Sequence, residues 1–303
     1  MLAWTHPACL AHDTGPDHPE QPARLQVVIE ALQHHCPGLD WREAPAAARG
    51  DLCRVHAAEM VDQVLAPVVS GIQHIDAETV VSPGSARAAV HAAGAGIAAV
   101  DAAMAGPARV AFCAVRPPGH HATADTAMGF CLFNNVAVAA AYARDRHGLE
   151  RIAIVDFDVH HGNGTQAIFR EDPAVAYFST HQSGLYPHTG HNRERGVGNL
   201  HNVLLPPGSG GFRFRNTWAE EMLPAIADFR PQLLLVAAGF DAHLADPLAD
   251  LMLDADDFAW LSTELLGIAL RHAQGRLVSM LEGGYNLDAL AECCVAHVKA
   301  LGG

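Results

Sequence analysis

Lysine is nearly missing from this chain. Lys299 is the only one among 19 basic residues, and 33 acidic residues leave a formal charge of −14. No basic stripe is available to follow a phosphate backbone, which argues against direct nucleic-acid binding. Cysteine-pairing signals are missing too. Cys9, Cys36, Cys53, Cys113, Cys131, Cys293 and Cys294 form no Cys-x-x-Cys pair and no spaced disulfide framework, so reduced thiols in a cytoplasmic protein are expected. The opening residues, Met1-Leu-Ala-Trp-Thr-His-Pro7, lack a basic segment followed by an apolar one, and no signal peptide is expected. Residues 86–105 are rich in Ala and Gly, but Arg87, His91 and Asp101 interrupt them. They read as a packed helix, with no membrane association expected. Repeats, low-complexity tracts and linkers are also lacking. Scarce lysine with abundant alanine points to a GC-rich bacterial coding sequence.

What is present is a large apolar fraction, 50% of 303 residues, enough for a sizeable core in one domain over residues 1–303. Short apolar runs at 109–115, 151–156, 174–179, 232–238 and 276–281 read as strands. Helical patterns at 23–35, 85–104, 135–146, 217–229, 256–272 and 288–301 alternate with them. This predicts an α/β fold: a single open, mostly parallel sheet with helices on both faces. Polar clusters follow all five strands, where open α/β sheets bind ligands.

The run Asp156-Phe-Asp-Val-His-His-Gly-Asn-Gly-Thr165 carries the strongest chemistry. Strand alternation would project Asp156, Asp158 and His160 to one side, and these are the ligand types of a divalent metal site. Asp241 ends a later strand and is the natural third ligand beside Asp158 and His160, although a helix N-cap is a second reading for it. Asp156 then suits the role of an acceptor orienting a histidine. Arg116-Pro-Pro-Gly-His-His121 supplies two adjacent histidines, one to move a proton and one to orient or assist. In Glu282-Gly-Gly-Tyr285 the glycines allow a sharp turn that can aim Tyr285 into a site.

In this order the motifs resemble the histone deacetylase and acetylpolyamine amidohydrolase superfamily, especially its class II-like and bacterial members. The resemblance also rests on His18-Pro-Glu-Gln-Pro-Ala-Arg24, Gly129-Phe-Cys-Leu-Phe-Asn-Asn135, Tyr186-Pro-His-Thr-Gly190 and Ala238-Gly-Phe-Asp-Ala-His243. It implies an arginase–deacetylase fold and Zn²⁺ held by Asp158, His160 and Asp241, with Fe²⁺ left open. It implies water attacking an amide carbonyl, with His121 as general base and then acid. His120, backed by Asp156, gives electrostatic help, and Tyr285 donates to the oxyanion. The Gly129 carbonyl would accept the amide N–H, and Phe130 and Tyr186 would flank a narrow channel. The resemblance further suggests K⁺ at Asp156, Asp158, His160, Ser179 and Thr180.

The chain departs from the commoner family pattern at two places. Asn163 stands where many members carry aspartate, and Tyr186 replaces phenylalanine. The resemblance also places Leu248 at the gate where polyamine deacetylases carry glutamate. The implied partner is an acylated lysine or another acylated amine, with oligomerisation left open. An acetylpolyamine amidohydrolase and a catalytically silent acyl-amine binder are the alternatives. A two-metal arginase-like hydrolase fits less well, because His160-His161 follows where a bridging carboxylate would be wanted. His188 and His191 are further candidates for the channel rim. Other histidines (His56, His74, His91, His147, His201, His272 and His297) read as structural or solvated.

Overall fold

The apolar runs form strands because helices cover them on both sides. A computed structural model describes residues 1–303. Its strands are β1 (Leu2–Thr5), β2 (Asp40–Glu43), β3 (Gln73–His74), β4 (Val80–Val81), β5 (Val110–Cys113), β6 (Ile152–Asp156), β7 (Val175–Gln182), β8 (Leu200–Leu205), β9 (Leu233–Ala238) and β10 (Leu277–Leu281). The helices are α1 (Pro22–His35), α2 (Arg49–Leu52), α3 (Ala58–Leu65), α4 (Ser85–Ala105), α5 (Asn135–His147), α6 (Asn163–Phe169), α7 (Gly211–Thr217), α8 (Leu223–Phe229), α9 (Ala255–His272) and α10 (Leu287–Ala300). Every residue of β6, β7, β9 and β10 is buried, as a doubly covered parallel sheet requires.

Eight strands pair in parallel in the order β2-β1-β5-β10-β9-β6-β7-β8, and β3 and β4 make a separate antiparallel hairpin. The late strands β9 and β10 sit between β5 and β6. The segments that leave the carboxyl ends of β5, β10, β9 and β6 are therefore neighbours, although up to 170 or so residues separate them in sequence, roughly the spread of several βα units. Helix α4 is long and apolar enough to cross a membrane by length and composition, and 56% of that window is buried inside the protein.

Three sheet strands escape the sequence pattern. β2 is Asp40-Trp-Arg-Glu43 and largely exposed, β1 has only four residues, and β8 alternates imperfectly. Ladder pairing overrides their weak propensity. The helix expected over 217–229 begins earlier, at α7, and passes through a π-helical turn, Trp218–Met222, into α8. The Leu223 N–H reaches back five residues to the Trp218 carbonyl. Pro224 follows at once and has no N–H to donate.

A buried ion cluster fastens the N-terminal loop to the sheet. Glu20 accepts from Arg24 Nη1 at 2.9 Å and from Arg116 Nε and Nη2 at 2.5 and 2.6 Å, and all three side chains are fully buried. Burial opposes the charge on Glu20, but the guanidinium of Arg116 and then that of Arg24 outweigh it and hold the carboxyl down at about 2, against an ordinary 4.5. Because the folded value is the lower one, its stabilisation is complete above about pH 4.5 and is lost as pH falls toward 2. Glu20→Gln should cost about 3–5 kcal/mol by leaving two buried cations short of their anion. Urea melts between pH 7 and pH 3 should also show a weaker acid dependence in the variant. An unchanged midpoint at pH 7 would contradict this.

Candidate active site

β6 stops at Asp156, so Asp158 and His160 lie in the loop after it and share no strand face. The expected alternation fails there. Tight turns gather the side chains instead. Asp156 Oδ1 accepts the Asp158 N–H at 3.2 Å, and Asp158 Oδ1 accepts the His160 N–H at 2.9 Å, the local side-chain-to-backbone bonds that Asp favours in turns. Asp241, in the loop after β9, accepts the Val159 N–H on Oδ1 at 2.8 Å. It opens no helix and caps none.

Asp158, His160 and Asp241 are all buried, and their ligand atoms lie within 4.8 Å of one another. His160 Nδ1 is 3.1 Å from both Asp158 Oδ1 and Asp241 Oδ2. Burial, then the charge of Asp158, pushes Asp241 up to about 7. For Asp158 burial is outweighed by His120 and His160, which hold it well below the usual carboxylate range. Two buried carboxylates facing one point demand positive charge there. A divalent cation meets that demand with these nitrogen and oxygen donors. The residues fit such an ion. Gly283 closes the other side: its N–H donates to Asp158 Oδ2 at 2.9 Å, and any Cβ would collide with the Asp158 and Asp241 carboxylates.

The histidine pair has two distinct environments. His120 Nδ1 donates to Asp156 Oδ2 at 3.1 Å, and the Tyr177 hydroxyl donates to the same oxygen at 2.9 Å. Burial disfavours the cation, but Asp158 and Asp156 outweigh it and hold His120 up at about 10. His121 Nδ1 donates to Asn163 Oδ1 at 2.8 Å. The Asn163 amide nitrogen faces Met128 Sδ at 3.4 Å, which sets the orientation of that amide. Burial, followed by the charges of His120 and His160, drives His121 well below the ordinary histidine value. One histidine is held charged and its neighbour neutral.

A cavity of about 360 Å³ reaches these groups and is lined by His121, His160, Gly129, Phe130, Tyr186, Leu248 and Tyr285. All four residues expected to contact substrate are among them. Gly129 and Phe130 are the centre of a turn closed by reciprocal Met128–Cys131 backbone bonds of 3.1 and 3.0 Å, with φ of 57° and 67°. Positive φ at both central residues defines a type I′ turn. A Cβ at Gly129 would lie 2.6 Å from the His121 ring, so only glycine lets the turn approach it. Tyr186 meets His121 edge to face at 5.2 Å, and Tyr285 meets Phe130 likewise at 5.9 Å.

His18, Pro19, Glu78 and Leu185 also line the cavity. The first two belong to the His18-Pro-Glu-Gln-Pro-Ala-Arg24 motif, whose pattern alone implies no site role, and nothing in the local pattern of the β3–β4 hairpin singles out Glu78. His188 and His191 are exposed and do not line the cavity, so the rim expectation for them is corrected. Arg24 is also part of the arrangement. Its Nε and Nη2 donate to the Gly284 and Glu282 carbonyls, both at 2.6 Å, and its guanidinium lies 4.8 Å from the Tyr285 ring centre. Ser179 pairs with Asp156 across β6 and β7, its hydroxyl is 2.9 Å from His181 Nδ1, and Thr180 Oγ1 accepts from Trp218 Nε1.

Comparison with known proteins adds an independent line. A family model described as "Histone deacetylase domain" matches residues 18–301. A Pseudomonas aeruginosa protein named histone deacetylase-like amidohydrolase is 41% identical over 99% of this chain and 80% of its own. The human protein named polyamine deacetylase HDAC10 is 37% identical over 99% of this chain and 46% of its own. The crystal structure of the HDA15 HD domain superposes with a TM-score of 0.93 at 34% identity, covering 99% of this chain and 87% of that one. With its strand order, its gathered Asp158, His160 and Asp241 and a family match over nearly its whole length, this chain belongs to the histone deacetylase domain family.

Proposed function

We propose that this protein is a zinc-dependent deacetylase that hydrolyses the amide of an acetylated, lysine-like amine. The observation that carries the reading is the placing of His121, His160 and Tyr285 along one cavity of about 360 Å³. Asp158, His160 and Asp241 would hold the ion, and Zn²⁺ or Fe²⁺ there supplies Lewis-acid chemistry.

The protein's own groups do the rest. His121 is neutral, and its Nδ1 proton is committed to Asn163. Its other nitrogen is free to take a proton from the attacking water and return it to the departing amine. His120, charged and braced by Asp156, stabilises negative charge beside it. Burial holds the Tyr285 hydroxyl well above its ordinary value, so it stays protonated and can donate to the developing oxyanion. The Gly129 carbonyl accepts the substrate N–H, and Phe130 and Tyr186 flank the aliphatic chain. A potassium ion would draw on Asp156, Asp158, His160, Ser179 and Thr180. The seven unpaired cysteines support a cytoplasmic setting.

Leu248 at the cavity supports a lysine-type substrate, because an apolar gate offers no partner to a distal ammonium. Glu78 favours the second reading, an acetylpolyamine, since it places a carboxylate in the same lining. Acetyl-lysine peptides should have the higher kcat/KM over N8-acetylspermidine. Leu248→Glu should shift that ratio toward the polyamine by about tenfold, a charge-assisted bond contributing roughly 1.5 kcal/mol. Wild-type preference for the polyamine would reverse the substrate assignment and leave the chemistry standing.

A further inference from the structure

Glu282 is a buried carboxylate at the site whose side chain neither lines the cavity nor belongs to the proposed ligand set. It follows β10 directly and is fully buried. Its Oε2 accepts the Gly119 N–H at 2.6 Å and the His120 N–H at 3.1 Å, while Oε1 has no hydrogen-bond partner. No arginine, lysine or histidine side chain neutralises it in a salt bridge. A buried carboxylate held by two backbone amides, with one oxygen unpaired, is costly to the fold. Packing alone does not account for it.

The connections of its backbone suggest what the cost serves. The Glu282 carbonyl is gripped by Arg24 Nη2, the next N–H donates to Asp158, the Gly284 carbonyl is gripped by Arg24 Nε, and the Tyr285 N–H donates to Asp246 Oδ2 at 2.7 Å. The side chain of Glu282 thus holds the loop that bears the two histidines, and its main chain leads directly to Tyr285. The loop has little freedom to settle elsewhere, because Gly119 is already pressed against Phe133 and Asn135. We propose that Glu282 is a positioning residue: its carboxylate oxygen sets the distance between the His120–His121 pair and Tyr285. This deepens the deacetylase reading and rests on it.

Reach and charge can be separated. Glu282→Gln keeps an acceptor oxygen at full length without the charge, whereas Glu282→Asp keeps the charge but retracts it by one methylene. On an acetyl-lysine peptide, Gln should retain at least about a third of wild-type kcat and Asp should fall about tenfold or more, since ångström-scale misplacement of reacting groups costs rates of that order. KM should stay within about threefold in both, with divalent-metal content and thermal midpoint near wild type, because no ligand has moved. The reverse order, with Asp active and Gln impaired, would make Glu282 a charge donor and overturn the proposal. So would equal activity in both variants, equal impairment in both, or losses of kcat that track lost metal. If the wild-type protein itself fails to turn over, the deacetylase reading fails first, and the two failures are told apart.

Discussion

Asp158→Asn should emerge from purification folded, with divalent metal far below stoichiometry and with turnover of a fluorogenic acetyl-lysine peptide down by about 10³-fold or more. Asparagine fills the same volume, which matters because Gly239 and Gly283 are both pressed against this side chain. It offers a neutral oxygen where the site needs a charged one. His160 Nδ1 would lose one of its two carboxylate neighbours, and Asp241 would be the one remaining charged ligand, beside His160. Removing a ligand forfeits the several kcal/mol of charge stabilisation that a Lewis acid contributes, and about 1.4 kcal/mol corresponds to each factor of ten. Metal analysis of the purified variant beside its circular dichroism spectrum decides the matter. Stoichiometric metal with normal turnover would remove the central assignment.

Tyr285→Phe probes a different link. The ring has its own neighbours, Arg24 at 4.8 Å on its face and Phe130 at 5.9 Å. Phenylalanine keeps both and loses only the hydroxyl, so metal content and KM should hold. The expected loss is in kcat, by about 10²–10³-fold, the usual effect of deleting an oxyanion donor. Near wild-type kcat would mean that the hydroxyl serves no reacting atom.

The sequence disclosed the site better than its geometry. Continuous apolar runs mark the central strands, and each ends in a polar cluster, so the ligands could be read from composition at strand ends. The path by which they meet could not. Periodicity reports which face of an element is buried, and that rule lapses where β6 stops at Asp156. Asp158 and His160 converge through turn bonds that no period describes. Partners far apart in sequence were equally hidden: Glu20 meets Arg116 across 96 residues, and Arg24 grips carbonyls 258 and 260 residues away. His188 and His191 illustrate the opposite error. Both follow Tyr186 closely, yet they are exposed and away from the cavity.

The placing of β9 and β10 between β5 and β6 has a consequence for biosynthesis. On the ribosome, β1 to β8 emerge first, but the two halves of the sheet they can form have no direct pairing with each other. Each half shows an open, largely apolar edge, β5 on one side and β6 on the other, until the last quarter of the chain is made. Any product terminated before Leu233 would keep both edges bare, a hazard for association with other chains. Catalytic competence therefore arrives all at once, when the final two strands close the gap and bring Asp241, Glu282 and Tyr285 to histidines synthesised more than a hundred residues earlier.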